Sequence, residues 1–264
     1  MQYNTCITHD ILARILATSI CTDFSEWNEM SNSIQSLVYD QLVSYSSPQR
    51  QAFTSKLLPT IEPTRVIGVT MQDCRTIAQT LIRNHQDEAF CASLPHTYVE
   101  ENIIHMLILN SYRDNQLWQQ AMEDFHPFLD NWMVTDAASP KYIGRDPDAL
   151  RSCALTWITD TKPYVQRVAI LLLMQLVRKS QFQEQDYLVV CSVNTDHYYV
   201  DMMRAWYFAT LFEYQPSIIY TMLTESNVEL RVKRKTIQKI LESRKTHALD
   251  REQMKAIRTT LKQQ

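Results

Sequence analysis

Glycine occurs only twice in the 264 residues, at Gly68 and Gly144, where average usage of about 7% would give roughly 18. Tight β-hairpins and phosphate-cradling loops need the positive φ angles that glycine supplies. The scarcity therefore predicts helices joined by short polar turns, and it excludes the P-loop and the G-x-G-x-x-G dinucleotide fingerprint. Long apolar runs are lacking too. The longest, 168–174, has seven residues, against the ~18–20 needed to span a bilayer, so no membrane association is expected. The first ten residues hold no basic stretch followed by an apolar run, which predicts no secretory leader. Six cysteines, Cys6, Cys21, Cys74, Cys91, Cys153 and Cys191, are scattered without a C-x-x-C pair. That pattern predicts reduced, buried thiols rather than disulfides or zinc, and a cytoplasmic protein.

The chain has 45% hydrophobic and 21% charged residues, enough apolar material for a large buried core. Its net charge of −3 is unevenly spread. Residues 231–264 hold 11 Lys/Arg against 3 Asp/Glu, and the remainder 15 against 26. The basic run Arg231, Lys233, Arg234, Lys235 and Lys239 suits either phosphate contacts or a solvated helix face. No low-complexity linker divides the sequence, which predicts a single domain over 1–264. Three- and four-residue apolar steps predict a helix over 25–46 (Trp27, Met30, Ile34, Leu37, Val38, Leu42) and another over 102–112. Further helices are predicted over 147–159, 163–179, 184–193, 197–213, 229–244 and 251–262, with 57–70 as the one long irregular connection. Pro127, Pro140, Pro147, Pro163 and Pro216 fall between or at the start of helices, where proline is tolerated. The fold class is all-α, which leaves bundles and α-solenoids. From 127 onward helix pairs recur at roughly 35–40 residues, near the HEAT/armadillo period.

Three segments carry candidate chemistry. The helix 163–179 is apolar all round, with Val165, Val168, Ala169, Leu172 and Leu176 on one side and Ile170, Leu171 and Met174 on the other. Such a helix is buried, so Arg167 needs either an anionic partner or an open cleft. In DNWMVTD, residues 130–136, Trp132 and Asp136 stand at i and i+4 on one helix face. Trp206 lies in the aromatic-rich segment 198–210. Each tryptophan alone reads more readily as core than as site. Their spacing argues otherwise: Trp132 to Arg167 is 35 residues and Arg167 to Trp206 is 39. In a solenoid of that period, residues one repeat apart become neighbours on a continuous face. No Ser-His-Asp motif, metal-ligand spacing or glycosidase carboxylate pair is visible, and His96, His105 and His197 are isolated.

Six collinear segments resemble the AlkD-like DNA alkylation repair family: KLLPTIEPTRVIGVTMQDCR (56–75), SLPHTYVEENIIHMLIL (93–109), LDNWMVTDAASPK (129–141), YVQRVAILLLM (164–174), YYVDMMRAWYFATLF (198–212) and KRKTIQKILESRK (233–245). They span roughly residues 50–260, leaving 1–49 as N-terminal helices outside the resemblance. It implies an α-α superhelix of HEAT-like repeats with a concave DNA-binding face. It also implies excision of cationic alkylated purines, such as 3-methyladenine or 7-methylguanine, from double-stranded DNA. Carried over by position, Trp132 and Trp206 would line the lesion cleft, Asp136 would be the catalytic carboxylate, and Arg167 would contact the DNA backbone. No metal or redox cofactor is implied, and a monomer is expected.

That chemistry is coherent. An N-alkylated purine is already cationic and so a good leaving group, and a fixed carboxylate can stabilise the positive charge that builds on the deoxyribose. Indole faces attract cations by about 0.5–2 kcal/mol per contact. The sequence departs from the family pattern in three ways. It is acidic outside its C-terminal helices, Gln72 stands where the family's Gly-x-x-x-Pro has proline, and Met133 replaces an acidic residue after the first tryptophan. Two alternatives therefore stand beside the glycosylase: an inactive relative that binds unusual or branched DNA, and a HEAT-like protein-interaction module.

Overall fold

The computed structural model describes the backbone over residues 24–262 and side-chain burial over 32–261. Cys6, Cys21, the remainder of 1–23 and the side chains of Trp27 and Met30 lie outside the described residues. Among those described there are fourteen α-helices and no strand, and no helix is long and apolar enough to cross a membrane. The chain divides into two compact units, Met1–Ile108 and Leu109–Gln264.

The first unit holds α1 (Phe24–Ser44), α2 (Pro48–Leu57), α3 (Met71–Arg83), α4 (Asp87–Ala92) and most of α5 (Val99–Leu109). Ile34, Val38 and Leu42, four residues apart on α1, are buried, and α1 packs on α3 and α4. The irregular connection before α3 has an internal logic. Gly68 adopts φ 92°, and a Cβ there would come within 2.5 Å of the Gln51 amide, so only glycine lets the loop lie against α2. The buried Glu100 carboxylate accepts hydrogen bonds from the amides of Ile67 (3.1 Å), Gly68 (2.7 Å) and Val69 (3.3 Å). Those three donors offset the cost of burying its charge. Glu101 accepts from Thr97 N and Tyr98 N at 2.9 and 2.8 Å, capping a helix that starts at Val99 rather than at 102. The two glutamates belong to its first turn, where the helix dipole favours them.

The second unit holds α6 (Asn115–Phe125), α7 (Trp132–Thr135), α8 (Pro147–Trp157), α9 (Pro163–Arg178), α10 (Glu184–Ser192), α11 (Tyr198–Phe212), α12 (Pro216–Glu225), α13 (Leu230–Glu242) and α14 (Ala248–Lys262). Proline opens α8, α9 and α12, where its missing N–H costs nothing. As its all-round apolarity predicts, α9 is buried on both stripes. It packs against α7, α8 and α11; α11 in turn packs on α13, and α13 on α14. Arginine–acid pairs staple neighbouring layers. Arg151 Nε lies 2.9 Å from Asp186 Oδ1 between α8 and α10, and Arg204 Nη2 lies 2.9 Å from Glu229 Oε2 beyond α11. Arg204 also donates to the Val190 and Cys191 carbonyls.

Candidate functional site

The site begins with a four-residue helix. Asn131, buried at its N-cap, accepts from the amides of Met133 (3.0 Å) and Val134 (3.1 Å), satisfying two donors that a helix end leaves orphaned. Asp136 is the C-cap, and its amide donates to the Trp132 carbonyl at 2.9 Å. That i, i+4 bond sets Trp132 and Asp136 on one face, as the spacing predicts.

Arg167, on α9, reaches across to this face. Its Nε donates to Asp136 Oδ1 at 2.8 Å and its Nη2 to Asp136 Oδ2 at 2.7 Å, while Nη1 donates to the Tyr199 carbonyl. This fork is the strong, orienting form of an arginine–carboxylate pair. The guanidinium is thus turned to the acid and to α11. The resemblance assigns it to a DNA backbone contact; in the structure all three of its nitrogens already have protein acceptors.

Trp132, Asp136, Arg167 and Trp206 line one cavity of about 500 Å³, which Tyr198, Tyr199, Met202 and Lys239 complete. The acid is not sealed: its side chain keeps 18% exposure, against 6% for Arg167. The other staples differ. Asp186 has 0% side-chain exposure, and Glu229, though 27% exposed, is not among the residues that line this cavity. A carboxylate oxygen also has a second lone pair; Oδ1 has the Thr135 hydroxyl at 3.4 Å as a second donor, and Oδ2 stays able to accept another.

Of the lining residues, Tyr198, Tyr199 and Met202 escaped the sequence reading, although for two of them a signal existed. Tyr198, Met202 and Trp206 follow a four-residue step and so share one face of α11. Tyr198 and Trp206 are exposed on it, at 55% and 37%. Lys239 follows Trp206 by 33 residues, continuing the repeat that links Trp132, Arg167 and Trp206. Two cations overlie the outer rings: Lys235 Nζ sits 4.3 Å from the Tyr198 centroid, and the Arg178 guanidinium 5.5 Å from that of Trp206.

The basic run divides by position. Lys239 lines the cavity and pairs with Glu242 at 3.0 Å. Lys235 covers Tyr198. Arg234 is exposed and donates to the Leu261 carbonyl at 2.6 Å. Arg231 bonds Asp201 at 2.6 Å and has Asp196 and Glu229 nearby; the Asp201 hydrogen bond raises its pKa. Lys233 faces inward, buried, with its ammonium on the Ser226 carbonyl at 2.7 Å, and burial lowers its pKa. Its place in a helix read as basic from end to end is with the core, between Val232 and the buried Thr236 and Ile237. His197, at the N-cap of α11, packs edge-on to Tyr164 at 5.3 Å, and burial, then the Arg167 charge, lowers its pKa. Among the described residues no cluster of His, Cys, Asp or Glu could hold a metal ion.

A protein-family model described as DNA alkylation repair enzyme matches residues 38–198, more than half of the chain. The match contains Trp132, Asp136 and Arg167 and stops before Trp206 and Lys239. No individual curated protein matches the chain. The matched region holds the forked acid and one of its two indoles, and on that extent the chain belongs to the DNA alkylation repair enzyme family.

Proposed function

We propose that this protein is a glycosylase that hydrolyses the N-glycosidic bond of cationic alkylated purines, 3-methyladenine and 7-methylguanine among them, in duplex DNA. The observation that carries the reading is the shared cavity. A carboxylate held by a buried arginine, yet still reachable, lines the same cavity as two indole rings.

The lesion purine carries its positive charge before the reaction starts. When the bond from C1′ to the purine nitrogen breaks, the electron pair goes to that nitrogen, the base leaves neutral, and no acid is required. Positive charge passes to the deoxyribose, where Asp136 stabilises it. Water then attacks C1′ and gives its proton to Asp136. The Arg167 fork fixes both carboxylate oxygens, so no reorganisation is needed as the charge develops. Trp132 and Trp206 offer faces that favour a cationic base over a neutral one by about 0.5–2 kcal/mol per contact. In this reading Arg167 positions the acid, and phosphate contacts fall to Lys235, Lys239, Arg231 and Arg234; Lys233 supports the core. The parallel run of α11 and α13, with Lys235 against Tyr198 and Lys239 beside Trp206, supports HEAT-like stacking with the cavity on the DNA-binding face.

Release of free 7-methylguanine from methylated duplex DNA tests this. The wild type is expected to release it and Asp136→Asn to lose at least about 10²-fold in rate. Release unchanged in Asp136→Asn would overturn the assignment. One observation favours a second reading, a DNA-structure binder without excision: Arg167–Asp136 ties neighbouring helices together as the purely structural Arg151–Asp186 pair does, although Arg151 reaches its acid through Nε alone. Duplex binding by a wild type that releases no base would select it.

A further inference from the structure

Trp206 is a shared wall. It also lines a second cavity of about 480 Å³, together with Arg178, Lys239, Lys245, Glu213 and Glu242. Two of the three cations already have anions: Lys239 meets Glu242 at 3.0 Å and Lys245 meets Glu213 at 2.7 Å. Both pairs are solvent-exposed, the kind worth at most about 1 kcal/mol, and so easily exchanged. Arg178 is different. Among the described residues no carboxylate pairs with it; its contacts are the Trp206 face and, at 3.8 Å, the Met174 sulfur. It shares its cavity with like charge: Glu213 raises the Lys245 pKa, and Arg178 opposes that rise.

The contact over the indole ring uses none of the Arg178 N–H groups, and only Nη2 reaches the Met174 sulfur, so among the described residues the remaining N–H groups meet no oxygen acceptor and can fork onto a phosphate. The Trp206 indole therefore holds Arg178 ready for an anion at the end of α9. We infer that this second cavity is a phosphodiester site, in which Arg178, with Lys245 and Lys239, grips the backbone of the DNA strand whose lesion occupies the first cavity. The inference rests on the proposed duplex-DNA function but not on base release. The two cavities share Trp206 and Lys239, so a phosphate here and a cationic base in the first would be neighbours, as adjoining parts of a single strand are.

The test is a salt titration of duplex binding by the full chain, using undamaged DNA. Each phosphate contact contributes about 0.9 to the slope of log K against log salt. Arg178→Met is expected to reduce the slope by about that amount, equivalent to an affinity ratio to wild type that changes roughly 3.5-fold between 50 and 200 mM salt. Arg178→Lys keeps the charge without the guanidinium and is expected to keep the slope. An unchanged slope in Arg178→Met overturns the site. So does an equal fall in both variants, which would trace the loss to Trp206 packing, and so does a wild type that does not bind duplex. Because undamaged DNA is used, the expected slopes from a protein that releases no base would sink the excision reading alone. Unchanged slopes with base release intact would sink this site alone.

Discussion

Replacing Arg167 by methionine deletes its charge while keeping an unbranched apolar stem. The lost guanidinium gives Asp136 two hydrogen bonds, at 2.8 and 2.7 Å, and the Tyr199 carbonyl a third. Removing one member of a dry ion pair costs about 3–5 kcal/mol because the survivor is stranded, whereas an exposed pair is worth about 0–1 kcal/mol. Asp136 retains 18% side-chain exposure, so water can partly solvate the orphan, and a loss of about 2–3 kcal/mol is expected between those limits. Arg151→Met is the internal reference. Its partner Asp186 has 0% exposure, and burial raises that carboxyl's pKa even beside Arg151, so the full ~3–5 kcal/mol applies. Urea unfolding of both variants alongside the wild type measures the order. Equal losses would mean that Asp136 is as dry as Asp186 and that no substrate reaches it. A loss near zero from Arg167→Met would mean that the fork does not hold the acid. Base release is expected to rank them the other way: Arg167→Met loses about 10²-fold through misplacement of the carboxylate, and folded Arg151→Met retains the wild-type rate.

Trp206→Leu removes one cation-attracting face and is expected to slow release of cationic 7-methylguanine by about 2- to 30-fold, with no comparable change for a neutral lesion; equal slowing of both would refute the cation–π role. Gly68→Ala places a Cβ 2.5 Å from the Gln51 amide at φ 92° and is expected to cost about 2–4 kcal/mol, read as a fall in thermal midpoint. His96 and His105 meet at 2.9 Å in the first unit's core, and burial lowers the His96 pKa from 6.5 to about 3. Between those values the unfolded chain binds a proton that the folded chain refuses. Stability is therefore full above pH 6.5 and falls with acid by about 1.4 kcal/mol per pH unit for one such histidine. Urea midpoints from pH 7 to 4.5 should fall less steeply in His96→Gln, and parallel curves would refute the assignment.

Helix positions were legible where apolar stripes were dense. The predicted 163–179 and 147–159 lie within two residues of Pro163–Arg178 and Pro147–Trp157, because proline marks their starts and their burial leaves the periodicity unmistakable. The helices Pro48–Leu57, Asp87–Ala92, Pro216–Glu225, Met71–Arg83 and Asn115–Phe125 went unread. The first is largely polar, with Thr54 its one buried residue; the second has six residues, too few for a period to show. His96 and His105 were read as isolated, yet His96, stacked on Phe90, meets His105 of the following helix at 2.9 Å. Lys233 was grouped with its basic neighbours because charge counting along a helix ignores which face each residue occupies. In Leu230–Glu242 the buried positions Val232, Lys233, Thr236, Ile237 and Ile240 form the inward stripe, and Lys233 falls on it.

Repeat spacing is what made the site legible. Steps of 35, 39 and 33 residues carry the chain from Trp132 through Arg167 and Trp206 to Lys239, and all four line one cavity. Spacing fixes which residues are neighbours but not which way a long side chain turns. Arg167 could satisfy its charge on a nucleic acid or on a carboxylate one layer earlier. In the folded chain the carboxylate wins, because a fork onto Asp136 also supplies the Tyr199 carbonyl with a donor and leaves no guanidinium nitrogen unpaired inside a buried helix. The same pressure produces Arg151–Asp186 and Arg204–Glu229. What separates the Asp136 pair from them is position rather than chemistry: α7 ends after a single turn, so its C-cap acid meets the cavity instead of another helix. A structural staple placed at the edge of a cleft thus becomes a preorganised acid, and the layers need only stop short at one point to convert one into the other.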